Sequence, residues 1–304
     1  MLLTPSVAPS EGDRELKETF IHLYGPHAEA IQRYYTNVHV KYSFTHSNQT
    51  KHVEGKYNFR NYLLESRSAF GSRSLECRNP RYSFRLHIED NRVNIMDLTI
   101  HDAANEPPLC TLCVPFADPE RKLTYLEMAH NEETEFIALR DLIWQNKPVK
   151  ELQIRFVRIH PVSRKPLRVI QGYFFSPQEN WICCGWRSYP PQDPTYVEEV
   201  YYYGPQGGEP FPVPRRIEKW IRNVKNPEKS ICLIVTEITD FRRASAPFPD
   251  TDFTLSAFGL PEPPGLEWKR PTPWYLWVGL AGIVCLALGV GGRWLKQRMT
   301  ASKR

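Results

Sequence analysis

Cysteines, histidines and one run of glutamates are the side chains here whose types and spacing could do chemistry. Cys110 and Cys113 stand as Cys-Thr-Leu-Cys, the spacing of a redox pair or of half a metal site. A metal site would want a second such pair. The adjacent Cys183 and Cys184 do not supply one, because neighbours on a strand point to opposite faces. A local disulfide or buried thiols is the plainer reading. With Cys285 set apart in an apolar run, six cysteines remain: Cys77, Cys110, Cys113, Cys183, Cys184 and Cys232. An even number suits an oxidising compartment, but the chain is too long for a disulfide scaffold.

Nine histidines include no His-Glu-x-x-His, and the His130-Asn-Glu-Glu-Thr-Glu run has the wrong spacing for a helical metal pair. His46 and His52 flank a polar hairpin tip that would bring them near each other. Glu127, Glu132, Glu133 and Glu135 form an acidic cluster of the kind more often solvated than catalytic. Gly-x-Ser-x-Gly, P-loop and Gly-x-Gly-x-x-Gly signatures are all missing from the sequence, so no cofactor is expected and no enzyme class is indicated. A Ser-His-Asp set assembled from distant positions is not readable this way. Asn48-Gln49-Thr50 fits a glycosylation pattern that a chain of 304 residues also meets by chance.

The elements that would position these groups are legible in the periodicity. Leu16, Phe20 and Leu23, then Ala28, Ile31 and Tyr35, recur at helical spacing, which predicts two helices broken at Gly25-Pro26. The period then becomes two. Val38, Val40, Tyr42 and Phe44 alternate with polar residues, as do Tyr82, Phe84, Leu86 and Ile88. These are antiparallel strands with one wet face. Asp90-Asn91 predicts a tight hairpin, since Asp and Asn tolerate the positive φ that such turns need. With two strands read between Glu54 and Phe70 and one after Asn91, the first half holds about five.

Residues 105–146 interrupt the pattern. There Phe136, Leu139 and Ile143 predict a short helix in an insertion. Six strands follow between Val149 and Thr239, joined by turns at 161–165, 176–180, 190–194, 204–214 and 226–229. An antiparallel meander of that length must close or curl, and preceding helices would cover its concave face. Tyr42, Phe44, Tyr82, Phe84, Leu86, Ile88, Phe156, Tyr173, Trp186 and Trp220 are the candidates for that inner face. They line a ligand cavity if the barrel is hollow and form core if it is filled.

Charge locates the chain. The formal net charge is +5, and Arg293, Lys296, Arg298, Lys303 and Arg304 carry five positive charges at the C-terminus with no acid among them. Removing those five from the 39 Lys and Arg leaves 34, equal to the 34 Asp and Glu. The body is therefore neutral and has no electrostatic footprint for nucleic acid. Just before the tail, Trp274–Gly292 runs nineteen residues without a charge, enough for a membrane helix with its aromatic rings at one interface. The basic flank predicts a cytoplasmic tail and an extracytoplasmic body. That requires export, and residues 1–13 read as a signal-peptide remnant or a disordered terminus, with Ser6-Val7-Ala8 in the small-x-small form. Five prolines in residues 259–273 make a linker that could hold the body about 45 Å from the bilayer.

A resemblance emerges from the second half. Val200–Tyr203, the Gly207-Gly208 turn, Phe211-Pro212 leading into Arg216–Val224, Ile231–Asp240 and the closing Phe253–Phe258 follow an opening helix and a long meander. Over residues 14–258 this resembles the LolA/LolB/RseB-like lipoprotein-carrier superfamily. The resemblance implies an α+β fold: a long, incompletely closed antiparallel barrel, a half-barrel, whose apolar concavity binds acyl chains or a lipidated partner. The membrane segment and the 105–146 insertion depart from the family pattern. The expected function is a membrane-anchored extracytoplasmic module that captures an acyl chain or lipoprotein segment. The rival is a structural or sensory ectodomain that binds a protein partner and has no cavity.

Overall fold

In the computed structural model, residues 10–266 are described except 48, 68–71, 91, 102–111, 113, 119–120, 160–165, 190–194 and 206–208. The chain divides into two compact units, Met1–Leu260 and Pro261–Arg304. Of the second, residues 261–266 are described and form a turn closed by the Leu266 N–H on the Pro263 carbonyl. Trp274–Gly292 and the basic tail lie outside the described residues, as do Cys110, Cys113, Asn48 and Gly207-Gly208. No helix among the described residues is long and apolar enough to cross a membrane.

The first unit opens with α1 (Glu11–Tyr35), where Ser10 caps the N-terminus by accepting from the Asp13 N–H at 3.2 Å. The two helices expected on either side of Gly25-Pro26 are in fact one, and Pro26 lies inside it. Interior proline loses a helical hydrogen bond at a cost of about 3 kcal/mol. Phe20, Tyr24, Ala28, Ile31, Tyr34 and Tyr35 are all buried along one side, on both flanks of the proline, and that shared burial holds the helix continuous.

Six strands follow: β1 (Val38–His46), β2 (Gln49–Asn58), β3 (Asn61–Arg67), β4 (Arg73–Arg78), β5 (Tyr82–Glu89) and β6 (Arg92–Ile100). The short β7 (Ala117–Asp118) and β8 (Leu123–Thr124) pair apart from the main sheet and lead into α2 (Tyr125–His130). Seven more strands complete the chain: β9 (Glu135–Trp144), β10 (Lys147–Ile159), β11 (Pro166–Ser176), β12 (Ile182–Tyr189), β13 (Thr195–Tyr203), β14 (Pro214–Asn223) and β15 (Ile231–Arg243). All pair antiparallel in one 13-stranded sheet of order β6-β5-β4-β3-β2-β1-β15-β14-β13-β12-β11-β10-β9. The first and last strands of the two meanders meet in its middle. Its edges, β6 and β9, do not pair with each other, so the sheet is open.

The helix expected over Phe136, Leu139 and Ile143 is strand β9. A register shift between Gln153 and Ile154 pairs Ala138 with Gln153 but Phe136 with Ile154. Ile137 is thus an extra residue, which lets side chains three apart share one face of a strand and imitate a helical period. Gln145 and Asn146, with φ of 50° and 60°, then turn the chain into β10. The Asp90-Asn91 hairpin is as expected: Glu89 pairs with Arg92, and Asp90 has φ of 46°.

Candidate functional site

Strand pairing assigns each residue to a face. Val38, Val40, Tyr42 and Phe44 share the inner face, on which α1 and α2 lie. Much of that face is filled. Phe20 packs on Phe136 and Phe175 with ring centroids 5.7 and 5.4 Å apart. Tyr24 meets Tyr125 at 6.1 Å, and Tyr125 meets Tyr173 at 5.1 Å. The Asp13 carboxylate, itself buried, accepts from the Phe136 N–H at 2.6 Å and anchors the start of α1 to β9. Tyr173 donates to the buried Asp118 carboxylate. Burial first, and then the Asp118 charge, hold the Tyr173 phenol well above its ordinary value.

Beyond this filled region a cavity of about 230 Å³ remains, lined by Tyr42, Phe44, Leu112, Glu199, Ile217, Lys219, Ile234 and Thr236. Four neighbouring strands position it. Tyr42 pairs with Ile238 and Phe44 with Thr236 across β1–β15; Ile217 pairs with Thr236 and Lys219 with Ile234 across β15–β14; Glu199 pairs with Lys219 across β14–β13. Leu112 closes one side. Pockets for drug-sized ligands measure about 300–1,000 Å³, so this space is smaller than most. Its charged members are paired: Glu199 accepts from Trp186 Nε1 at 3.0 Å and from the Tyr201 hydroxyl at 2.8 Å, and Lys219 Nζ lies 3.3 Å from its other oxygen.

The ten residues singled out from sequence are thereby separated. Tyr42 and Phe44 line the cavity, and Trp186 stands behind it, bonded to Glu199. Phe156 and Tyr173 share the inner face but sit in the filled part, Phe156 with the Arg121 guanidinium 4.7 Å from its ring centroid. Trp220 is on the outer face, where its Nε1 donates to Glu218 at 2.9 Å and the Arg222 guanidinium lies 3.9 Å from its ring. Tyr82, Phe84, Leu86 and Ile88 are also on the outer face, because Phe84 pairs with Cys77, Cys77 with Leu63, Leu63 with Lys56 and Lys56 with His39. The short turns Asp250–Phe253 and Leu255–Phe258 cover Tyr82 and Phe84. The Leu255 N–H donates to the Tyr82 hydroxyl at 3.0 Å, and Phe258 packs edge-on to Phe84 at 5.9 Å. Leu112, Ile217, Ile234, Glu199 and Lys219 escaped the sequence reading. Arg216–Val224 and Ile231–Asp240 read as strands, but the sequence does not show which parity faces inward.

Among the described residues the reactive groups do not gather. His46 lies on the inner side of β1, whereas His52 pairs with Ser43 and faces outward. In the acidic cluster, Glu127 completes the capping box of α2, Glu135 pairs with Arg155 at 2.7 Å, and Glu132 and Glu133 are exposed. Cys77, Cys183, Cys184 and Cys232 are free thiols, and burial pushes Cys183 up to about 12. Among the described residues no three His, Cys, Asp or Glu side chains are placed to hold a metal.

In structure, the chain is similar to a domain of an outer membrane lipoprotein-sorting protein from Vibrio parahaemolyticus, with 11% identity and a TM-score of 0.47, covering 81% of this chain and 98% of that one. It is also similar to a DUF1329 family protein from Desulfovibrio piger, with 9% identity and a TM-score of 0.41, covering 83% and 99%. No family model and no curated protein sequence matches it.

Proposed function

We propose that this chain is a half-barrel binding module that takes an acyl chain, free or carried on a lipoprotein segment, into the inner-face cavity. The observation that carries the reading is the apolar space between Tyr42, Phe44, Leu112, Ile217 and Ile234, beside the part of the inner face that α1 and α2 fill. Aliphatic and aromatic walls favour a hydrocarbon ligand by about 25 cal/mol per Å² of area removed from water. The uncharged Trp274–Gly292 run, followed by five positive charges, supports attachment to a membrane with the body extracytoplasmic and the tail cytoplasmic. Native mass spectrometry of the purified full chain tests the ligand: bound lipid released on activation is expected, and its loss in Phe44→Glu ties it to the cavity. A Phe44→Glu chain that retains all its lipid sinks the assignment. Protease added to intact spheroplasts should digest the body.

A second reading, an ectodomain that binds a protein partner, is favoured by one feature. Ile95, Met96, Leu98 and Ile100 are exposed along β6, an edge strand of the sheet. Such an edge is a template for strand addition.

A further inference from the structure

The cavity's polar floor bears on how a bound acyl group is attached to the rest of its molecule. Glu199 is 3% exposed, and both its oxygens are engaged, by Trp186 and Tyr201 on one side and by Lys219 on the other. Lys219 keeps about a third of its side chain exposed, lines the cavity, and has its ammonium 5.8 Å from the Trp186 ring. The ammonium has three N–H donors, of which Glu199 takes one. A compensated pair with donors to spare therefore stands among apolar walls.

The geometry points to a cavity selective for acyl chains joined through an uncharged ester or amide, with Lys219 donating to the linkage carbonyl, and discriminating against free carboxylates. This rests on the acyl reading above. A carboxylate drawn to Lys219 brings a second negative charge against Glu199, in a site where walls of Tyr42, Phe44, Ile217 and Ile234 reduce solvent screening. An ester carbonyl takes the same donor without a charge to desolvate. Lys51, whose ammonium lies 6.0 Å from the Phe44 ring, belongs to an exposed residue, and water screens it from a ligand head group.

The test uses the full chain in a fluorinated surfactant, titrated with 1-decanoylglycerol and with decanoate at about pH 8, where the acid is ionised. Calorimetry and tryptophan fluorescence both follow binding. The ester should bind at least about tenfold more tightly than decanoate. Glu199→Gln keeps a carbonyl acceptor for Trp186 and Tyr201 but removes the charge, and should bring decanoate level with the ester or above it. If thermal melts show that variant unfolded, Lys219→Gln replaces it; this variant should lose the ester several-fold and bind decanoate no better than the parent. Decanoate binding the parent as tightly as the ester overturns the selectivity and leaves the acyl reading standing. No binding of either ligand overturns both.

Discussion

Over β9–β11 the inner face presents Phe136, Leu152, Tyr173 and Phe175, all buried beneath α1 and α2. Over β1, β14 and β15 it presents Tyr42, Phe44, Ile217 and Ile234 around about 230 Å³ of open space. In both regions the strand register brings apolar side chains to the inner face. What differs is the cover. Phe20, Tyr24 and Tyr125 descend on the first region, whereas among the described residues Leu112 reaches the second. Alternation marks a face as apolar, and the element laid across that face decides whether it becomes core or cavity.

That contrast can be broken by substitution, and the largest effect belongs to the filled region. Phe175→Ala should cost about 3–5 kcal/mol, seen as a drop in the urea midpoint of unfolding. A loss below about 1 kcal/mol would show the covered region to be packed no better than the cavity. Asp13→Ala comes next. It strands the buried Phe136 N–H and removes the carboxylate beside Lys17, and should cost about 1–3 kcal/mol without altering acyl binding.

A smaller effect comes from acid and sits on the outer face. Glu151 is wholly buried there, and burial pushes its carboxyl up. Hydrogen bonds from Tyr189, Gln153 and Arg140 outweigh that and hold it below the ordinary 4.5. A carboxyl lowered by folding adds stability that is complete above its unfolded value and lost as pH falls through its folded one. Melting temperature should therefore decline as pH drops below 4.5, and Glu151→Gln should flatten part of that decline. The least effect on stability belongs to Phe44→Ala, under about 1 kcal/mol, because Phe44 borders space and not packed atoms. The same change should weaken 1-decanoylglycerol binding about tenfold through lost apolar contact. Equal losses of stability in Phe44→Ala and Phe175→Ala would erase the distinction between the two regions.

Much of the fold was legible. The strands around Tyr42 and Phe84 follow from their period of two, those around Tyr173 and Val235 from apolar runs bounded by turns, and the turn at Asp90 from its side chain. Two local readings failed for physical reasons. Pro26 reads as a break, yet buried neighbours on both flanks carry the helix through it. Phe136 and Leu139 read as helical because the extra residue between them shifts the phase of a strand. The site was only partly legible. Tyr42 and Phe44 were found, while Glu199 and Lys219 look in sequence like solvated charges and become partners only when β13 pairs with β14.

Phe44 and Phe84 mark the boundary between the two kinds of information. Each sits in an alternating strand, and the sequence alone determines that each shares a face with its neighbours two residues away, because successive side chains leave a strand on opposite sides. It also determines the neutral body, the uncharged run near the C-terminus and the basic tail, since these are properties of composition and order. Only the tertiary structure decided that Phe44 borders a cavity and Phe84 lies under Phe258 on the other side of the sheet. That outcome depends on the register of four strand pairings between β1 and β5, and on a cover brought from a distant part of the chain. Neither is encoded in the local period.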